Sequence, residues 1–571
     1  MNGLPSTLRE NLAGTGDLST SKLDALENVS LHAGESYVAA AIRAGVVSEE
    51  KLLETLAKSL HLGYTRLGDL AIDESVRSRV PTKVVFQYDV MPTRWENGSL
   101  TVATNDPFNL AMIECLRMLT QSRIQLVLSP LSDIRNAMKR HYGVGADTLD
   151  QLLQKNVLDL DNAAPLPEKS DVASNDQEAS VVKFVNQIIA EAYKERATDI
   201  HIEPMEEDLR IRYRVDGVLQ QVPVPPQLKR FQAAIISRIK VMAQMDIAER
   251  RLPQDGRINV RSGGAEIDVR VSTIPTAHGE SVSLRLLMRT SIFLGLDKLG
   301  LAGDDEKIIR KLVELSHGIV LVTGPTGSGK STSLYAFLSS INSVEQRIIT
   351  IEDPIEYQLA GVNQMQARPD IGLTFASGLR HILRQDPDVI MVGEIRDLDT
   401  AEIAVRAALT GHLVFSTLHT NDAAGAVTRL LDMGIEPFLV SSSVEALIAQ
   451  RLVRTICPRC REEYTPDPEL LVEVGYPEPH VGQQFFRGRG CEECRMTGFR
   501  GRLGIYEILV MRENLRPLII GRAASSTIKT AAVANGMRTL RDDGWIKVRA
   551  GITTIEEVAR VTQEDEALVS G

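Results

Sequence analysis

The sequence predicts a multidomain α/β protein dominated by one parallel sheet, and three observations carry that prediction. From about residue 300, buried-type apolar strands alternate with helical stretches. Four of these strands, in "GIVLVTG", "RIITIEDP", "DVIMVGE" and "HLVFSTLH", run directly into a glycine loop, an acid or a histidine. Two Cys-x-x-Cys pairs then interrupt the pattern near the C-terminus. Apolar strands with crossover helices form parallel sheets whose C-terminal strand ends lie beside the ligand, which is where these polar residues fall.

At 571 residues the chain has room for about three to five domains of ordinary size. Residues 1–30 are rich in Ser, Gly, Asn and Thr and are expected to be disordered. A docking domain of α+β type is expected over 31–145, where "SYVAAAIRAGVVSEEKLLETLAKSLHLG" reads as two helices broken at Gly45, with Ser48 as N-cap. Residues 146–178 read as a linker. A small α+β domain follows over 179–290, its strand "LRIRYRVDGVL" alternating apolar with basic residues. The nucleotide-binding core is placed at 291–456, a tetracysteine subdomain at 457–507 and a helical subdomain at 508–571.

The most legible chemistry is "GPTGSGKS". Gly324, Pro325, Thr326, Gly327, Ser328, Gly329, Lys330 and Ser331, with Thr332 behind them, match G-x-x-x-x-G-K-[ST] between a strand and a helix. In that setting backbone N–H groups wrap phosphate oxygens, Lys330 reaches the β/γ-phosphates and Ser331 can ligate Mg²⁺, so ATP with Mg²⁺ is the expected cofactor. Glu394, in "DPDVIMVGEIRD", is placed to orient Mg²⁺ or its water shell, although Gly393 stands where an acid is usual. "TIEDPIEY" holds Glu352, Asp353 and Glu356, of which Glu356 is the first choice and Glu352 the second choice for a base that activates water. A solvated acidic turn around Pro354 is the competing reading.

His412 and His419 flank one buried strand. His419, at the strand's end, can donate to a phosphate oxygen and report its loss, whereas a lone histidine is more often structural. Arg210, Arg212 and Arg214 share one face of a strand, and Arg257 lies in "RLPQDGR". Guanidinium groups stabilise charge on a transferring phosphoryl group, while strand alternation alone would also give a solvated basic face.

Cys457, Cys460, Cys491 and Cys494 form two knuckles separated by thirty residues and are expected to hold a structural Zn²⁺ in a tetrahedron of thiolates. Cys115, on an apolar helical face, reads as a core thiol. With 64 Lys+Arg against 75 Asp+Glu, net −11, nothing in the overall charge favours nucleic acid or an anionic membrane. With no apolar leader and no membrane-length apolar run, a cytoplasmic chain reaching a membrane only through protein partners is expected.

Taken together, "GPTGSGKSTSLY", "TIEDPIEY", "LRQDPDVIMVGEIRDLDTAEIAVRAALTGHLVFSTLHTNDA", the four cysteines and "RGRLGIYEIL" resemble the secretion ATPase family of type II secretion and type IV pilus assembly. "ERRLPQDGRI", "GGAEIDVRVSTIPTAHGE" and "DMGIEPFLVSSSVEALIAQRLVR" look more like the type II secretion (GspE) branch than the pilus-extension (PilB) branch. The resemblance implies a RecA-like P-loop NTPase domain preceded by a PAS-like N2 domain, with a zinc-binding insert. It further implies a homohexamer in which Arg212 and Arg214 contact nucleotide held by Lys330, with Glu356, Glu394 and His419 as its acids and histidine. Implied partners are a GspL-like inner-membrane anchor, reached through the N-terminal domain, and a GspF-like platform protein. Some relatives bind cyclic di-GMP through a segment opening Arg-Leu-Gly; here His32 and Ala33 replace the Arg and Leu, and Ser59 stands near the Gln position, so that ligand is not expected. A DNA-handling motor and a nucleotide-regulated scaffold with little turnover are the readings from other classes.

Overall fold

The computed structural model describes residues 20–27, 37–45, 47–68, 70–143, 171–262, 265–288, 295–477 and 483–562. Residues 20–27, expected to be disordered, instead form the helix Thr20–Glu27, whose Leu26 is buried in a core cluster; the rest of 1–30, most of the 146–178 linker and the His32–Ala33 argument lie outside the described residues. The chain divides into two compact units, Met1–Leu287 and Met288–Gly571.

The first unit carries two sheets. The smaller orders its strands Gly63–Tyr64, Arg123–Leu128, Ser99–Thr104, Met91–Glu96. Near it the expected helix pair is present as Tyr37–Arg43 and Glu49–Ser59, parted by Gly45 at φ +68, a left-handed value that glycine adopts at little cost. Ser48 is extended at the second helix's N-cap, but its side chain makes no capping bond. Cys115 is half-buried against the core of this sheet, as expected of a packing thiol.

The larger sheet has six strands, ordered Val218–Val222, Leu209–Val215, Ala197–Pro204, Gly279–Met288, Ala265–Thr276, Gln254–Ser262. Phe184, Ile188 and Ile189 of the helix Asp171–Lys194 share its apolar core with Ile200, Ile211 and Tyr213. That helix begins inside the segment expected as linker. The helix Gln232–Met242 adds Ile235, Ile236 and Ile239 to the same core.

The second unit is built on a seven-stranded sheet. Its order is Asn363–Gln366, Ile348–Glu352, Val389–Val392, Leu413–Leu418, Gly318–Thr323, Val444–Ile456, Phe499–Val510. The first six strands pair in parallel, and the last pairs antiparallel with Val444–Ile456. Gly318–Thr323, Ile348–Glu352, Val389–Val392 and Leu413–Leu418 are buried along their whole length, because helices cover both faces of a parallel sheet. One correction to the expected boundaries follows. The division at 507/508 falls inside Phe499–Val510, whose residues complete the sheet rather than the cysteine element.

Candidate nucleotide site and cysteine cluster

Strand order brings the predicted residues together. The strands ending in Glu352, Val392, Leu418 and Thr323 are consecutive neighbours, so the acid box, Glu394, His419 and the phosphate loop open at one edge of the sheet. The loop turns at Gly324, Gly327 and Gly329, with φ of +150, +81 and +91. A Cβ at Gly324 would lie 2.5 Å from Gln450 O, and one at Gly329 would lie 2.8 Å from Gln450 Nε2, so the loop is seated directly on the neighbouring strand. Lys330 opens the helix Lys330–Ile341, and its Nζ donates to Gly324 O at 2.7 Å and Pro325 O at 3.2 Å. The Ser328 hydroxyl is buried and has no hydrogen-bond partner among the described residues. An unsatisfied buried hydroxyl, a helix N-terminus and an ammonium folded onto the loop's own carbonyls together fit a phosphate chain.

Burial, aided by Arg451, pulls Lys330 down to about 8, against a smaller opposing pull from Glu394. Glu394 is mostly buried and is held from two sides: Arg396 lies 2.5 Å from Oε1, and His419 Nε2 lies 3.5 Å from Oε2. Burial first, and Lys330 second, lower the pKa of His419 despite Glu394, so the imidazole is neutral at neutral pH. The loop after His419 is tied to the strand that feeds the phosphate loop: Thr420 N donates to Thr323 Oγ1 at 2.8 Å, and the two hydroxyls are 2.7 Å apart. His412, at the other end of that strand, has its Nδ1 2.9 Å from Ala407 O and takes no part in the site.

The two candidate bases separate sharply. Glu352 is 4% exposed, and both its oxygens are occupied: Thr350 donates at 2.5 Å, Gln364 at 3.0 Å, and Tyr335 to the other oxygen. Buried and already bonded on both oxygens, this carboxylate is not free to meet a water, which argues against its place as second-choice base. Glu356 is half-buried, on the loop beyond Pro354. Gly393 is equally constrained. Its N–H donates to Ile351 O at 2.7 Å, and a Cβ there would come within 3.3 Å of Glu352 Cα and Ile351 O.

Arg210, Arg212 and Arg214 do lie on one face of their strand, opposite buried Leu209, Ile211 and Tyr213. Each faces a carboxylate on the next strand: Arg210 and Arg212 bond Glu203 at 2.9 and 2.5 Å, and Arg214 lies 3.8 Å from Asp199. Arg257 is exposed on its own strand.

The four cysteines converge as expected, with all four sulfurs within 4.8 Å of one another. Cys457–Cys491 and Cys460–Cys494 are each 3.8 Å apart, and Cys491–Cys494 3.7 Å. A tetrahedron with Zn–S bonds of about 2.3 Å has edges of about 3.8 Å, whereas a disulfide would need about 2.05 Å. Burial holds the Cys460 thiol up at about 12. Cys494, although burial opposes it, is brought to about 7 by N–H donors from Cys491 and Gly498. Four sulfurs at this spacing are a donor set that fits Zn²⁺, which would be bound with release of the thiol protons.

Three contributors were not read from the sequence. Arg396 follows Glu394 by two residues and could have been suspected from "GEIRD". Thr420 and Gln450 gave no local signal, because their roles depend on which strands are neighbours.

Fold and site define a P-loop ATPase. A family model described as "Type II/IV secretion system protein" matches residues 174–560, and one described as "MshEN domain" matches residues 60–148. The type IV pilus assembly ATPase PilB of Myxococcus xanthus is 42% identical over 562 residues, covering 98% of each chain. The type II secretion system ATPase E of Vibrio cholerae is 48% identical over 460 residues, covering 80% of this chain and 90% of its own. The type II secretion system protein E of Pseudomonas aeruginosa is 52% identical over 403 residues, covering 71% and 80%. The crystal structure of the pilus retraction motor PilT with bound ADP covers 68% of this chain and 99% of its own at 26% identity and a TM-score of 0.44. The chain belongs to the type II/IV secretion ATPase family. Among the described residues no helix is long and apolar enough to cross a membrane.

Proposed function

We propose that this ATPase powers pseudopilus assembly in a type II secretion system, driving export of folded proteins. The observation that carries the motor reading is the convergence of Lys330, Glu394 and His419 on neighbouring strand ends, with Thr323–Thr420 tying the histidine loop to the phosphate loop. Lys330 and the loop N–H groups bind the phosphates, and Ser331 and Glu394 hold the Mg²⁺ shell. Mg²⁺ held there would neutralise charge on the β- and γ-phosphates of ATP, from which ADP leaves; Glu356 takes the proton of the attacking water, and His419 senses the phosphate's departure.

Work on a membrane-embedded partner is the reading in which Arg212 and Arg214 of the N2 domain reach nucleotide in a homohexamer. The N-terminal domain then docks a GspL-like anchor, a GspF-like platform protein is the moved part, and the Cys457–Cys494 zinc element supports assembly. Replacing Arg212 or Arg214 by Ala then lowers turnover far more than nucleotide binding; unchanged turnover in both variants contradicts the arginine role. Cyclic di-GMP is left out on the strength of His32 and Ala33, and binding of that dinucleotide by the purified chain would reverse this.

The pilus-extension role is the second reading, favoured by the match to the Myxococcus PilB over 98% of both chains. Higher identity to the type II secretion proteins favours the first. Deleting the gene and scoring exoproteins in the medium against surface pili separates them. Lost secretion with intact pili supports the first, and lost pili with intact secretion supports the second.

A further inference from the structure

We infer that Tyr335 is a positioning residue for hydrolysis, coupling the phosphate-loop helix to the loop that presents Glu356. The inference rests on the reading of Glu356 as the base. Tyr335 lies five residues after Lys330 on the same helix, is 3% exposed, and sends its hydroxyl beneath the acid box. That hydroxyl donates to the buried Glu352 carboxylate and accepts the backbone N–H of Glu356 at 3.3 Å. Burial first, then Glu352, push its pKa up, so it stays a neutral hydroxyl able to donate and accept together.

The surroundings leave the hydroxyl little freedom. Tyr357 meets the Tyr335 ring edge-on, with centroids 4.6 Å apart at 87°, and its own hydroxyl lies near Thr332 next to the phosphate loop. Gln364 bridges Glu352 Oε1 at 3.0 Å and Tyr357 O at 3.1 Å. Glu352 is thus a buried carboxylate met by three donors, and one donor comes from the helix that Lys330 begins. A shift of that helix when phosphates bind is passed through one hydroxyl to the Glu356 backbone. Sub-ångström placement of a base is worth large factors in rate, so the effect belongs in kcat rather than in nucleotide affinity.

The test compares the full-length assembled chain with Tyr335→Phe, which keeps the ring and removes the hydroxyl. We expect kcat for ATP to fall at least about tenfold, with KM and the Kd for a non-hydrolysable ATP analogue within about twofold and Tm lowered by only a few degrees, the cost of leaving Glu352 one donor short. Glu352→Gln, which keeps the shape but removes the charge that holds the hydroxyl, shows the same split. Unchanged kcat in Tyr335→Phe overturns the inference, as does a loss of kcat that only follows loss of Tm or of nucleotide affinity in both variants. Glu356→Gln separates the two claims. Retained turnover there removes the base itself, whereas lost turnover there with normal Tyr335→Phe removes only the tyrosine's role.

Discussion

His419 Nε2 lies 3.5 Å from Glu394 Oε2, while Arg396 holds the other oxygen of the same carboxylate at 2.5 Å. Glu394, the acid proposed to orient Mg²⁺, is therefore positioned by its own strand-end loop and by the histidine of the next strand. Since burial and Lys330 keep His419 neutral near pH 7, its contact with Glu394 is made by an uncharged imidazole. Glu394→Gln should lower ATP turnover by about a hundredfold or more, and His419→Ala by about tenfold, both with folding intact by circular dichroism. The His419→Ala variant should also lose the acid limb expected of the wild type, which falls below the ordinary histidine range because burial and Lys330 lower the imidazole's pKa.

Lys330 gives a pH dependence of opposite sense. With its pKa pulled down to about 8, the free site loses its ammonium as pH rises above that value, and binding the triphosphate must restore the proton. Nucleotide affinity should be flat below about pH 8 and fall up to about tenfold per unit above it, while Lys330→Arg flattens the profile. Titration calorimetry in buffers of different ionisation enthalpy checks the proton uptake.

The cysteine cluster should hold about one zinc per chain by elemental analysis, and Cys460→Ser should abolish it. The element pairs Arg461–Tyr464 with Phe485–Gly488, and a Cβ on Gly488 would meet Gly498 O at 2.0 Å, so its backbone is packed tightly around the sulfurs. Chelation should lower Tm by several degrees and leave the isolated nucleotide affinity near normal, because the sulfurs lie outside the strand ends that form the site.

Glu557 ties the C-terminal helix Ile555–Thr562 to the sheet. Its carboxylate is 2.8 Å from Arg454 and also pairs with Arg560 at 2.6 Å. Burial alone would raise its pKa; the bonds to Arg560 and Arg454 overcome this and bring it to about 2. A carboxylate depressed in the folded state contributes stability above its unfolded value of about 4.3 and loses it as pH falls toward 2. Glu557→Gln should cost about 3 kcal/mol at pH 7, and chemical denaturation at pH 7 and pH 3 should show the difference shrinking at the lower value.

Much of this was legible in the sequence because it is local. The phosphate loop sits between a strand and a helix, the acids sit where apolar runs stop, and a C-x-x-C knuckle needs only its own turn. What was not legible depends on long-range pairing. The expected division at 507/508 cuts "RGRLGIYEIL" in two, yet the whole segment closes the sheet by pairing Ile505 with Arg451 and Leu509 with Leu447. Glu352 looks as available as Glu356 until Tyr335, Thr350 and Gln364 are seen to surround it. Gly393 departs from the usual acid for a packing reason, since any side chain there presses on the Glu352 backbone.

The central claim is that "GPTGSGKS" fuels a motor through Lys330, and steady-state ATP hydrolysis by the assembled, zinc-loaded Lys330→Ala chain tests it most directly. The account predicts turnover reduced to background with zinc content, Tm and oligomeric state unchanged; turnover near that of the wild type in a contaminant-free preparation would contradict it.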